Sequence, residues 1–298
     1  MIPLQAWQST IGDREVIELK PGVWRVGDHI LKRISPLGTA NPSTRLLQYC
    51  EILAHLERSG IPVGVPHPTD DGHPFAEYEG ELYILSPFLA GPDPAESQAQ
   101  LESSGAAIAR LHQALATCPT EIDSWQIHLA ERTFGESWPG LEARLQAAEF
   151  ERLSAAIDPM HDEMTRAVEG LPSQRIHGDC HAGNILLTGD EVTGFIDLDH
   201  LPIGPRMYDL GYFLSCSLIS CTDRGEAAGD ALERLSRPFF AGYRSVLPLT
   251  DGEAEAILPI MLYVQLILAD WYLQAGISHR ADRALHFTRW AAGLRWRP

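Results

Sequence analysis

The chain has 298 residues, enough for two lobes or one large domain, with an ordinary globular share of apolar residues and a formal net charge of −17. So acidic a chain lacks the basic footprint that nucleic acid requires; its charge is compatible with a cationic substrate drawn into an acidic cleft, but more simply keeps the surface soluble. MIPLQAWQST shows no secretory signal, the apolar run Ile257 to Ala269 is too short to span a bilayer, and five cysteines without motif spacing point to free thiols in the cytoplasm.

Three short segments read as strands: Glu15 to Leu19, Val23 to Val26 and His29 to Ile34. Gly27-Asp28 joins the last two as a tight hairpin, and Lys20-Pro21-Gly22 separates the first two. Lys32 lies within the third strand with apolar residues on both sides. Asn41 can cap a following helix, with Pro42 in its first turn and Gly60 at its end. Its predicted apolar face is Leu46, Leu47, Cys50, Leu53 and Ala54, with Glu51 on the border. A Pro-rich connection over 61–68 leads to strands Phe75 to Tyr78 and Leu82 to Leu85.

Residues 95–116 read as a helix, and 118–172 as helices broken at Gly135, Pro139-Gly140 and Pro159. Then comes RIHGDCHAGNILL, Arg175 to Leu187, followed by GFIDLDH, Gly194 to His200. Ile185-Leu186-Leu187 and Phe195-Ile196 read as a buried hairpin through Thr188-Gly189-Asp190, which would bring Asn184 close to Asp197. This is the spacing of a phosphoryl-transfer site, where positioning and charge neutralisation do most of the work. Asp179 would accept the proton of a substrate hydroxyl, and Asn184 and Asp197 would hold Mg²⁺ against the phosphates of ATP. Zinc ligation by His177, Cys180 and His181 is an alternative, against which stands the lack of a second Cys pair. A helix follows from Tyr208 to Leu218. Thr250 with Glu253 forms a capping box, opening a helix that is apolar nearly all round, with a kink or restart at Pro259.

HGDxxxxN, then IDxD, then GPxxYDLG resembles the aminoglycoside phosphotransferase and choline kinase-like family, which shares its fold with protein kinases. CHAGN and DLD also resemble the bacterial stress response kinase of that superfamily, a protein Ser/Thr kinase. The resemblance implies an α+β, two-lobed protein kinase-like fold. Residues 1–89 form a small antiparallel-sheet lobe with one helix, and 90–298 a larger, mainly helical lobe, with a hinge near 85–90. It implies ATP and Mg²⁺ as cofactors; with no apolar run long enough to span a bilayer, no membrane partner is expected. Lys32 corresponds to the strand lysine on the α- and β-phosphates, and Glu51, 19 residues on, to the helix glutamate that orients it. Leu85 would back the adenine pocket, with the Ser86 carbonyl and Phe88 N–H reading the adenine edge. Lys20-Pro21-Gly22 sits where a kinase covers the phosphates, with one glycine instead of three. His177 and Asp209 would support the loop of Asp179, Asp199 would be a second metal contact or its neighbour, and Asp270, Trp271 and Tyr272 would line the acceptor pocket. The implied reaction moves the γ-phosphate to a small-molecule hydroxyl; a protein kinase of the stress response type and a non-catalytic nucleotide-binding pseudokinase are the alternatives.

Overall fold

The structure, a computed structural model, describes residues 2–34, 41–91, 96–122 and 124–298. The N-terminal lobe is a five-stranded antiparallel sheet of β1 (Val16–Lys20), β2 (Val23–Val26), β3 (His29–Ile34), β4 (Ala76–Tyr78) and β5 (Glu81–Pro87), in the order β1-β2-β3-β5-β4. A short turn of helix, α1 (Gln8–Ile11), precedes it, and α2 (Pro42–Arg58) packs within it. The Asn41 side chain caps α2 by accepting from Thr44 N–H at 3.1 Å.

The α2 face that enters the core is rotated from the one the sequence suggests. Leu46, Tyr49, Ile52, Leu53 and Leu56 are buried with Arg45, while Leu47 is exposed. Trp7 covers the other face of the sheet, buried against Val26, Leu31, Tyr83 and Leu85, and its indole donates to the His67 carbonyl at 3.0 Å.

The second lobe is mainly helical: α3 (Gln98–Ala116), α4 (Trp138–Arg144), α5 (Ala147–Ile157), α6 (His161–Val168), α7 (Met207–Asp223), α8 (Ala228–Val246), α9 (Asp251–Gln274) and α10 (Ser278–Ala291). The predicted start of α3 at 95 lies outside the described residues. Two small antiparallel pairs sit at the lobe boundary: β6 (Ser173–Arg175) with β9 (Ile203–Pro205), and β7 (Ile185–Thr188) with β8 (Glu191–Phe195). Glu131–Ser137 adds one stretch of π-helix.

α3 and α8 cross at two glycines. A Cβ on Gly105 would collide with the Phe239 carbonyl, and one on Gly242 with the Glu102 carbonyl, so the two backbones touch. α9 runs unbroken through Pro259, with Thr250 and Glu253 closing its capping box. By length and composition α9 could cross a membrane, yet most of it is buried among α6, α7 and α10, as the core helix of this lobe.

Candidate active site

The loop after β6 carries His177, Gly178 and Asp179. Its anchor is Asp209, fully buried in the first turn of α7. The Asp209 carboxylate accepts from His177 N–H at 2.8 Å, from Gly178 N–H at 2.9 Å and from His112 Nε2 at 3.0 Å. Burial pushes the Asp209 pKa up, but His112, His177 and the Gly178 N–H outweigh it and hold the group below the ordinary carboxylate range. Gly178 has φ +81, and a Cβ there would meet the Pro202 ring at 2.5 Å, so only glycine fits this corner. His177 is fully buried, and burial lowers its pKa. The neutral ring donates from Nε2 to the Ile196 carbonyl at 3.1 Å and accepts at Nδ1 from Asp179 N–H at 3.3 Å.

A single 3₁₀ turn, Ala182–Asn184, then brings Asn184 back onto Asp179. Asn184 Nδ2 donates to the Asp179 carbonyl at 2.8 Å and to its Oδ2 at 3.0 Å. The β7–β8 ladder pairs Ile185 with Phe195, and Ile196 N–H donates to the Asn184 carbonyl at 3.1 Å, so Asp197 follows one residue beyond Asn184's partner. Asp197 adopts φ 57, a left-handed conformation that non-glycine residues seldom occupy.

Lys32 faces the same place from β3. Its Nζ lies 2.7 Å from Asp197 Oδ1 and 2.5 Å from Asp199 Oδ2. Burial alone would lower the Lys32 pKa, but Asp199 and Asp197 together raise it. Burial likewise favours a neutral Asp197, and Lys32 and Lys20 reverse that, so Asp197 is held ionised. Glu51 is exposed and, among the described residues, pairs with no cation. The α2 side chain that reaches this cluster is Tyr49, whose hydroxyl lies 3.2 Å from Asp199 Oδ1. From the turn before, Arg45 Nη2 donates to the carbonyls of Asp199 and His200 at 3.1 and 3.2 Å.

Between the lobes lies a cavity of about 390 Å³, with Lys32, Asp197 and Asp199 at one end and the 86–89 segment at the other. Leu19, Val23, Ile30, Leu186 and Phe195 supply apolar walls. Here the predicted hinge shifts by one residue. Strand alternation turns Ile84 and Ser86 toward the cavity, and Leu85 away from it, under Trp7. Phe88 N–H donates to the Asp28 carbonyl at 2.8 Å, extending the β3–β5 pairing and removing it as a free donor. By the alternation of an antiparallel ladder, Ser86 opposite Ile30 also turns its backbone polar groups to β3. Leu85 C=O accepts from His67 N–H at 2.7 Å. The Pro87 carbonyl and the Leu89 N–H are left without a partner among the described residues.

The acceptor-side expectations fare differently. Asp270 is buried and occupied by Arg144 Nη1 at 2.9 Å and Gln274 Nε2 at 2.6 Å. Trp271 is 54% exposed, and Tyr272 packs against it with Arg280 over its ring. Nearer Asp179 stand residues the sequence did not single out for substrate: His181, its Nε2 3.8 Å from Asp179 Oδ2, and Tyr212, stacked on His181 at 6.2 Å. Cys180 is buried, and among the described residues no three His, Cys, Asp or Glu converge as the zinc alternative requires.

A model of the phosphotransferase enzyme family matches residues 21–249. The chain belongs to this family. Its relatives include the homoserine kinase of Neisseria meningitidis serogroup B, 30% identical over 237 residues, covering 76% of this chain and 73% of that protein. The homoserine kinase of Methylobacillus flagellatus is 29% identical over 259 residues, covering 80% and 74%. Among solved structures, a microcompartment-associated aminopropanol kinase superposes with a TM-score of 0.71 at 20% identity, covering 97% of this chain and 93% of that one. An amicoumacin kinase in complex with AMP-PNP and Ca²⁺ also reaches 0.71, at 17% identity and 92% and 87% coverage. The phosphotransferase thus has the two-lobed kinase fold, with the IDLD segment of the second lobe facing Lys32 of the first across its cleft.

Proposed function

We propose that this phosphotransferase moves the γ-phosphate of MgATP to the hydroxyl of a small amino alcohol of the homoserine type. The observation that carries the reading is the connected set Asp179, Asn184, Asp197 and Lys32: Asn184 holds Asp179 at 3.0 Å, its backbone pairs beside Asp197, and Lys32 lies 2.7 Å from that carboxylate.

The donor set suits Mg²⁺. Asp197 is ionised, and with the amide nitrogen of Asn184 committed to Asp179, its Oδ1 is left as a hard oxygen acceptor. Asp197 and Asn184 would hold the ion, which supplies charge neutralisation at the phosphates. Asp199, bonded to Lys32 and Tyr49, orients the lysine. The Pro87 carbonyl and Leu89 N–H would read the adenine edge, over Leu186 and below Ile30 and Val23. Asp179 Oδ2 accepts from Asn184, and the Tyr212 hydroxyl also hydrogen-bonds the Asp179 carboxylate. The Asp179 carboxylate, held in place by these bonds, takes the acceptor's hydroxyl proton as the new P–O bond forms and ADP leaves. The family names of the relatives support a small-molecule acceptor over a protein one. A site that uses ATP, in a chain whose five cysteines are all free, reads as cytoplasmic.

The test is ATP consumption with L-homoserine, 1-amino-2-propanol, choline, an aminoglycoside and a generic protein acceptor. The reading expects turnover with an amino alcohol. Phosphorylation of the protein acceptor alone would contradict it.

A further inference from the structure

Only Lys20, Pro21 and Gly22 separate Leu19 from Val23, two residues of the cavity's outer wall. Gly22 closes the turn with φ +84. So short a connection has no spare backbone to fold over a polyphosphate, and it holds one glycine. The side chains are arranged differently from a plain hairpin. The β1–β2 register slips between Glu18, opposite Trp24, and Lys20, opposite Val23. Regular alternation would send Leu19 and Lys20 to opposite faces, but this bulge lets both line the cavity.

Lys20 Nζ comes within 3.4 Å of Asp197 Oδ2, while Lys32 Nζ is 2.7 Å from Oδ1. Two ammonium groups from different strands thus meet opposite oxygens of one carboxylate. The Lys20 side chain is 60% exposed, so its pair with Asp197 contributes little to stability. The formal charges of Lys20, Lys32, Asp197 and Asp199 cancel. Without Lys20 the site would be one charge negative before MgATP, itself a net dianion, arrives.

We propose that Lys20 is a phosphate clamp: together with Lys32 it grips the nucleotide's polyphosphate, supplying from a side chain the contact that a glycine-rich loop supplies from its backbone. Proximity to the same carboxylate is what places it there, and the bulge is what aims it. The inference rests on the ATP reading given above.

The experiment titrates adenosine, ADP and ATP, with Mg²⁺, into the full-length wild type, Lys20→Met and Lys20→Arg, with thermal unfolding of each as the control for folding. Lys20→Met should bind adenosine as the wild type does and ADP and ATP about 10-fold more weakly, or about 1.4 kcal/mol. Lys20→Arg should recover most of the loss. An unchanged ratio of ATP to adenosine affinity in Lys20→Met overturns the clamp and leaves the ATP reading standing. Equal loss of adenosine and ATP also overturns it, since the role would then be structural. Wild type that binds ATP no more tightly than adenosine removes the ATP reading, and the clamp with it.

Discussion

The hydroxyl of Tyr49 donates to Oδ1 of Asp199 across 3.2 Å, and Asp199 in turn holds the Lys32 ammonium at 2.5 Å. A helix tyrosine therefore reaches the strand lysine through an aspartate, while Glu51 faces solvent. A buried hydrogen bond to a charged group contributes about 1.5–3 kcal/mol. Tyr49→Phe should accordingly lower turnover roughly tenfold by loosening Asp199 and Lys32, whereas Glu51→Gln should stay within about twofold of wild type. Steady-state kinetics in ATP would check both, and a large loss in Glu51→Gln with none in Tyr49→Phe would return the role to the glutamate.

The contact of α3 with α8 gives a stability prediction far from the chemistry. Gly105 and Gly242 each face a backbone carbonyl of the other helix, and a backbone cannot step aside as a flexible side chain can. Gly105→Ala or Gly242→Ala should cost about 1–3 kcal/mol or more, as overpacking does. Urea unfolding measures this directly. Wild-type stability in both variants would mean that the helices have room to separate.

What the sequence made legible, and what it hid, divides along physical lines. The loop from His177 to Asn184 is set by short-range geometry: a glycine corner, a 3₁₀ turn and a hairpin, all encoded within a few residues. Asp209 was legible for the same reason, because the start of α7 follows closely on β9. The hinge was misread by one residue because YILSPFL is apolar on both faces, so alternation carries no signal. Which face looks outward is decided by Trp7, some eighty residues away in sequence, packing over Leu85. Tyr49 was missed because the apolar pattern of α2 also admits a face through Leu47, and only packing against the sheet and the second lobe selects the other. Lys20 became visible through a register slip that no residue pattern announces.

His177 predicts a pH dependence. Burial lowers its pKa, so on acidification the unfolded chain binds a proton before the native ring does. Stability falls wherever the unfolded state binds more protons, so the loss begins near pH ~6.5 and continues down to the lowered native pKa. Asp209, also lowered, acts in a separate window: its contribution is full above pH ~3.9 and is lost as pH falls through its lower native value. Urea unfolding between pH 7.5 and 5.5 should thus show wild type losing stability faster than His177→Gln, by at most about 1.4 kcal/mol per pH unit. His67, lowered by burial, is present in both proteins and cancels in the difference. Parallel curves would show that His177 carries no such linkage.

In the proposed reaction Asp179 handles the proton and Asp197 the metal. Asp179→Asn retains the shape and an oxygen for Asn184 Nδ2, so MgATP affinity should persist while single-turnover transfer falls about 10²–10⁴-fold, the usual contribution of a general base. Asp197→Asn should weaken ATP binding only when Mg²⁺ is present, leave adenosine binding intact and slow transfer as well. The deciding measurement is titration of both variants with ATP, with and without Mg²⁺, alongside single-turnover rates on the acceptor found by the panel. Retained MgATP affinity in Asp179→Asn, with Mg²⁺-dependent affinity lost in Asp197→Asn, is the predicted result. The reverse pattern, or full transfer by both variants, would contradict the assignment.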